Sequence, residues 1–431
     1  MNTLNTHKSY VLPIVVMYLL FFMIAFVTNL CSPMAVIVKN NFTMSNFASQ
    51  LGNAANFIAY ALMGIPSGML LRKLGYKKTA LVAIFVGFVG VFLQYMSGWN
   101  GISNFWVYLI GAFTAGCCMC ILNTVVNPML NNLGGGGNRG NQLVQFGGVC
   151  GSTAAVLVTI LMGSLIADAS KAEIADATPA LMIALGVFAF AFIVLFMVHI
   201  PEPILNSEDS NHGKIASVLA FRHFTLGAIA IFMYLGIEVG IPTYVMQYLT
   251  TSSVASTPGM DIDASIAGMI VAVYWFLMLV GRFIGGFLSG RFSSKTQIVT
   301  VSSLTILLVL LGMYLPDVWL VRMPGIDWGS LTIITAEVPV GVFALILVGL
   351  CTSVMWGGIF NMAVEGLGSY TSVASGIFMT MVCGGGILIP IQGKIADMVG
   401  SFQESYLVVL VCAVYILVYA LWGSKIKENN N

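Results

Sequence analysis

Residues 47–97 read FASQLGNAANFIAYALMGIPSGMLLRKLGYKKTALVAIFVGFVGVFLQYMS. Two apolar runs, 47–71 and 79–97, flank the basic turn Arg72-Lys73-Leu74-Gly75-Tyr76-Lys77-Lys78. A helix crosses the hydrocarbon of a bilayer with about 20 apolar residues. Each run meets that length, and the turn between them is too charged and too short to lie anywhere but in water. The stretch therefore reads as a transmembrane helical hairpin.

The pattern recurs along the whole chain. Further apolar runs lie at 11–38, 104–131, 142–167 and 178–199. A polar stretch from Pro201 to His223 follows, carrying Glu202, Glu208, Asp209, His212, Lys214 and Arg222. Six more runs lie at 224–250, 265–290, 297–315, 338–365, 373–396 and 405–422. The expected fold is an all-α membrane protein of twelve transmembrane helices. It divides into an N-terminal half (1–200), a linker (201–223) and a C-terminal half (224–431), six helices to each half.

Composition agrees. Of 431 residues, 58% are apolar and 8% charged, with a mean hydropathy of +0.96. Soluble domains carry about 25% charged residues, and this chain cannot cover a water-facing surface of its size. A net charge of +1 supplies no field for nucleic acid. The eight cysteines fall inside apolar runs, and the cluster Cys117, Cys118, Cys120 has no histidine near it. Small packing residues are expected there, not a metal site or a disulfide framework. No cofactor is expected either: Gly134-Gly135-Gly136-Gly137 lacks the lysine and the preceding strand of a phosphate loop.

Lysine and arginine set the topology, because cytoplasmic loops collect them. With the N-terminus inside, Lys8, Arg72, Lys73, Lys77, Lys78, Arg139, Lys214, Arg222, Arg291, Lys295, Lys425 and Lys427 are cytoplasmic, while Lys39, Lys171, Arg322 and Lys394 are outside. Both termini are then cytoplasmic. The halves are weakly alike: Gly64-Ile-Pro-Ser-Gly68 with Arg72 and Lys73 answers Gly281-Arg282 with Gly285, Gly286 and Arg291. Parallel six-helix halves are a plan used by transporters. Gly68, Arg72, Lys73 and Arg282, with Gly385 and Pro390 in the eleventh run, are the candidates for conformational roles.

Polar residues deep in a membrane are costly, so each one is a candidate for function. Glu238 sits mid-run in Tyr234-Leu-Gly-Ile-Glu238-Val-Gly-Ile-Pro-Thr-Tyr244. Low dielectric there favours the neutral carboxyl, which suits a group that loads and releases a proton; a structural pairing with a serine, an amide or Arg282 is the alternative. Asn123 and Asn127 are four apart and share a helix face beside Pro128. Asn141, Gln142 and Gln145 open the fifth run. Amides donate and accept, as vicinal sugar hydroxyls require, though they also bind helices to one another. Trp356 and Trp275 could offer stacking faces. Asn123, Asn127, Asn141, Gln145, Trp356, Asn361, Tyr244 and Ser32 are the candidates for solute binding, and Glu238 for proton coupling.

These segments resemble the major facilitator superfamily, and within it the fucose–galactose–glucose:proton symporter family. The resemblance runs through Phe42-Thr-Met-Ser-Asn-Phe47, the 64–78 motif, Asn127-Pro128, Arg139-Gly-Asn141, Tyr234-Leu-Gly-Ile-Glu-Val239, Gly281-Arg-Phe283, Ile359-Phe360, Gly366-Leu-Gly368 and Gly384-Gly-Gly-Ile-Leu-Ile-Pro390. It implies alternating access around a central cavity and a monosaccharide cargo (hexose or deoxyhexose) in a bacterial inner membrane. Ser32 and Asn123 stand where the family carries acids, and Val144, with Gln145 beside it, where it carries a glutamine. Of the family's acids, Glu238 is the one matched. The expected function is secondary transport of a sugar by a monomer, with proton coupling first and facilitated diffusion second. A transporter-derived sensor is a remote third, since no soluble output domain is present. No nucleophile–base pair or nucleotide motif supports an enzyme.

Overall fold

The computed structural model describes residues 10–42, 51–99, 104–165, 174–200, 215–262, 264–327 and 332–426. Most of the expected linker, 201–214, and most of the Phe42–Phe47 motif lie outside the described residues. The first half contains α1 (Val11–Asn41), α2 (51–74), α3 (76–96), α4 (Phe105–Leu133), α5 (Gly137–Leu165) and α6 (Ile174–Met197). The second contains α7 (Arg222–Thr250), α8 (Ala264–Ser289), α9 (Ser294–Tyr314), α10 (Val340–Val364), α11 (Gly368–Val399) and α12 (Phe402–Gly423).

The opening hairpin folds as its sequence dictates. Gly75 separates α2 from α3 with φ 78°, a left-handed conformation that a Cβ would disfavour. Lys77 then donates to the carbonyls of Phe196 and Val198 at 2.9 and 2.8 Å, satisfying the open C-terminus of α6. The glycine run between α4 and α5 works in the same way. Gly135, Gly136 and Gly137 all have positive φ, which reverses the chain within a few residues.

Among the described residues, ten segments are long and apolar enough to cross a membrane by themselves, one of them spanning both α2 and α3. Helix α5, the run expected at 142–167, opens with glycines and amides from Gly137 to Gln145. Its position accounts for that composition, because α5 packs on α1 in its own half and on α8 and α10 in the other. A helix sheltered by protein on several sides does not need a lipid-facing surface. The lipid-facing helices read differently: Phe85, Trp106, Phe190, Phe196 and Met197 all point outward. An exposed apolar surface of that kind requires hydrocarbon as its solvent.

The loop between α9 and α10 adds something the apolar runs do not announce. Strands β1 (Leu320–Asp327) and β2 (Thr332–Pro339) pair antiparallel, with Arg322 opposite Glu337. Met323 and Val338 are buried beneath the ribbon, while Arg322 and Glu337 pair at 3.3 Å on its wet face. The all-α bundle therefore carries one small ribbon at the end away from the termini, resting on α8.

The two halves meet at close range. A Cβ on Gly68 in α2 would lie 2.8 Å from the Ser372 carbonyl oxygen and 3.0 Å from the Gly376 Cα in α11. Gly64 and Thr380 meet one turn deeper. Helix α11 is interrupted at Met381–Cys383 by a tighter turn. There Gly384 packs on the Phe232 carbonyl, and Gly385 on the Phe57 ring of the first half. At the glycine run the helix thus breaks locally and makes a close contact with its neighbours.

Candidate functional site

Within the bundle α4, α7, α8 and α10 bring their polar residues together. Asn123 and Asn127 do share one face of α4. Asn123 Nδ2 donates to Tyr60 Oη at 2.7 Å, and Asn127 Nδ2 donates to the Asn123 carbonyl at 2.9 Å. Asn127 Oδ1 accepts from Trp356 Nε1 at 3.1 Å, which joins the first half to the second. The Trp356 ring packs against Tyr234 and Phe378, with centroids 6.1 and 5.9 Å away. Trp356 is thus held between an amide and two aromatic rings, whereas Trp275 turns outward on α8.

Tyr234 leads to the charged pair. It lies one turn before Glu238 on α7, fully buried, with no hydrogen-bond partner for its hydroxyl. Glu238 Oε1 accepts from Arg282 Nη2 of α8 at 3.4 Å, with both side chains largely but not wholly buried. Arg282 Nη1 also donates to Ser152 Oγ of α5 at 2.7 Å and approaches the Gly148 carbonyl at 3.4 Å. The charged residue within the eighth span therefore has its counter-ion in the seventh and neutral acceptors in the fifth.

A second polar layer lies nearer the end that carries the chain termini. Asn131 Nδ2 donates to Asn361 Oδ1 at 2.9 Å, and Asn361 Nδ2 donates to Ser294 Oγ at 2.8 Å. Asn141 Nδ2 donates to Ser289 Oγ at 3.2 Å, and Ser289 Oγ donates in turn to Gln297 Oε1 at 3.0 Å. Gln145 Nε2 donates to the Val354 carbonyl at 2.9 Å. Each chain crosses from one half to the other, and together they tie the two halves at this end of the bundle. Asn141, Gln145 and Asn361 belong to this layer, apart from the Asn123–Asn127–Trp356 group.

Other candidates lie elsewhere. The Tyr244 hydroxyl donates to the Ile389 carbonyl at 2.7 Å, beside Pro390, and ties α7 to α11. Ser32 lies within α1, but its side chain is outside the described residues. Arg72 and Lys73 end α2, with Lys73 exposed. Cys117, Cys118 and Cys120 are free thiols packed in the first half, and no metal-binding cluster occurs among the described residues. Sequence reasoning passed over Tyr60, Ser152 and Asn131. Asn131 had a signal, since Asn123, Asn127 and Asn131 form a ladder at four-residue spacing.

The major facilitator superfamily model matches residues 17–390, most of the chain. The chain belongs to the major facilitator superfamily. Superfamily members similar to it over nearly their whole length include the "Glucose/galactose transporter" of Brucella abortus (strain 2308), 29% identical over 430 residues covering 98% of this chain and 96% of that protein. The "Putative glucose/galactose transporter" of Helicobacter pylori (strain J99) is 27% identical over 425 residues, covering 95% of this chain and 96% of that one. The "L-fucose-proton symporter" of Escherichia coli (strain K12) is 23% identical over 447 residues, covering 98% and 95%. The superfamily fold is seen directly in the crystal structure of FucP in the outward conformation. It matches with a TM-score of 0.81 at 22% identity, over 97% of this chain and 100% of that one. The proton:xylose symporter XylE bound to 6-bromo-6-deoxy-D-glucose matches with a TM-score of 0.71 at 13% identity, over 96% of each chain. These relatives are transporters, not enzymes.

Proposed function

We propose that the chain carries a monosaccharide, a hexose or deoxyhexose, across a bacterial inner membrane by alternating access, coupled to protons through Glu238. One observation carries the reading: a carboxylate at mid-membrane adjoins a patch of amides and stacked aromatic rings. Asn123, Asn127, Tyr60 and Tyr234 offer both donors and acceptors, and Trp356 offers a face, which together suit a polyhydroxylated ring. The names of the relatives point the same way, since they are carriers of glucose, galactose and fucose.

The working cycle follows from the two layers. In this orientation the Asn131–Asn361 and Asn141–Ser289 bonds close the terminus-bearing end. Rocking of 1–200 against 224–431 about the linker breaks those bonds and opens that end. Glu238 loads its proton from one side and releases it to the other. The protein acts as a monomer in the lipid bilayer, with both termini cytoplasmic.

Uniport is the second reading. Ser32 and Asn123 are neutral, and the Glu238 carboxylate already has Arg282 as its partner. The deciding experiment is uptake of radiolabelled hexoses in cells that lack their own carriers, with and without an imposed pH gradient. Accumulation driven by the gradient supports symport. Equilibration without accumulation supports uniport, and no hexose uptake overturns the sugar assignment. Fused reporters test the topology: a reporter at Ser210 is expected in the cytoplasm and one at Asp261 outside. A periplasmic reporter active at Ser210 reverses the orientation.

A further inference from the structure

Arg282 is shared between the halves in an unexpected way. A guanidinium hydrogen-bonded to a carboxylate ordinarily closes to about 2.7–2.9 Å. Here the Arg282–Glu238 separation is 3.4 Å, while the bond to the neutral Ser152 Oγ is 2.7 Å. The short bond crosses from α8 to α5, between halves; the long one, from α8 to α7, stays within the second half. Gly148 makes room for this, since a Cβ there would lie 3.2 Å from Arg282 Cδ.

We propose that Arg282 is a latch between the halves: its bonds to Ser152 and Gly148 hold the present orientation, most firmly when Glu238 is neutral and no solute is bound. The proton-dependent part rests on Glu238 being the coupling site; the latch itself does not. While Glu238 is ionised, its carboxylate compensates the guanidinium, and α5 can leave without stranding a charge. Once Glu238 is protonated, the hydroxyl of Ser152 and the carbonyl of Gly148 are the acceptors on which the cation depends. Parting α5 from α8 would then leave a bare cation at mid-membrane, which is strongly unfavourable. Bound solute hydroxyls can take over those bonds. The latch would therefore stop a proton from crossing alone, which a symporter needs. The charged and titratable groups facing Glu238 are Arg282 and Tyr274 of α8 and Tyr234 of its own helix. From α5 and α10 the neutral Ser152, Thr352 and Trp356 reach this region.

The test reads orientation directly, by the distance between spin labels at Trp106 and Val254, on opposite halves at the far end, in a background with the native cysteines replaced. Without solute, Ser152→Ala should lower the population of the present orientation relative to the other by about 3- to 20-fold, the range for losing one interhelical hydrogen bond. Ser152→Thr keeps the hydroxyl and should restore it. Acidification should raise that population in the unmutated protein, and Glu238→Gln should hold it high at every pH. In vesicles, Ser152→Ala should admit protons in the absence of sugar. Unchanged populations in Ser152→Ala overturn the latch. A Ser152→Ala effect without any pH response, or with Glu238→Gln behaving as the unmutated protein, overturns its link to the proton. Failure of the coupling reading is seen separately, as an unmutated carrier that takes up sugar without moving protons.

Discussion

The two polar layers of the bundle differ in kind. At mid-membrane the contacts converge on an ion pair, Glu238 with Arg282, surrounded by tyrosines, a tryptophan and amides. Near the terminus-bearing end the halves are joined by neutral groups: Asn131 to Asn361 and Ser294, and Asn141 to Ser289 and Gln297. A neutral hydrogen bond between helices is weak, on average about 0.6 kcal/mol. It can break and reform in water at every cycle, with no charge left behind. An ion pair in low dielectric is costly to break by halves, because the remaining charge is stranded. The outer layer thus suits a gate that opens often, and the inner layer a switch that changes state only when a proton or a solute arrives.

The largest expected effect falls on the inner layer. Glu238→Gln mimics the protonated carboxyl. It should abolish accumulation against a gradient, while equilibrium exchange of substrate between labelled and unlabelled pools continues. Accumulation that persists in this variant moves the proton to another group.

A smaller but still severe effect is expected where α2 and α11 touch across the halves. Gly68→Val places methyl groups against the Ser372 carbonyl and the Gly376 Cα. Overpacking of this sort costs about 1–3 kcal/mol, so closure of this end should weaken and transport slow by roughly 5- to 150-fold. A transport rate equal to that of the unmutated protein would mean that α2 and α11 do not need this approach.

Asn123→Ala probes the aromatic–amide patch. It removes the partner of the Tyr60 hydroxyl and, on the proposed reading, a substrate contact. An unpaired buried group costs about 1–3 kcal/mol. Binding of the sugar, measured by calorimetry, should weaken to that extent in protein that still folds. Unchanged affinity assigns Asn123 to packing.

The smallest effect belongs to the gate. Asn361→Ala loses the bonds to Asn131 and Ser294. Two neutral bonds of this class amount to about 1 kcal/mol, a shift of roughly fivefold in the balance of orientations. The shift should be the same at acid and alkaline pH, since neither bond involves a titrating group. A pH-dependent shift would erase the distinction between the layers.

Most of the fold could be read from the sequence, because lipid imposes a simple code of length and polarity. The run at 338–365 becomes α10 (Val340–Val364), and the basic turn at 72–78 becomes the junction at Gly75. The β1–β2 ribbon could not be read, since Pro324 and Gly325 interrupt the apolar alternation of its first strand. The site was partly legible. Glu238, Asn127 and Arg282 stand out because each is polar in an apolar run. Tyr60 and Ser152 do not, because such residues are common in membrane helices and their roles depend on what lies across the bundle. Asn361 and Asn127 look alike in sequence. Their depth and partners separate them, one in the gate and one beside Trp356.

The central claim is that Glu238 carries the coupling proton. Its most direct test is proton movement on addition of hexose to weakly buffered vesicles containing the unmutated carrier or Glu238→Gln. The account predicts that hexose alkalinises the medium outside vesicles with the unmutated protein, as protons enter with sugar, and that Glu238→Gln gives no pH change while still exchanging sugar. A pH change of equal size in both would contradict it.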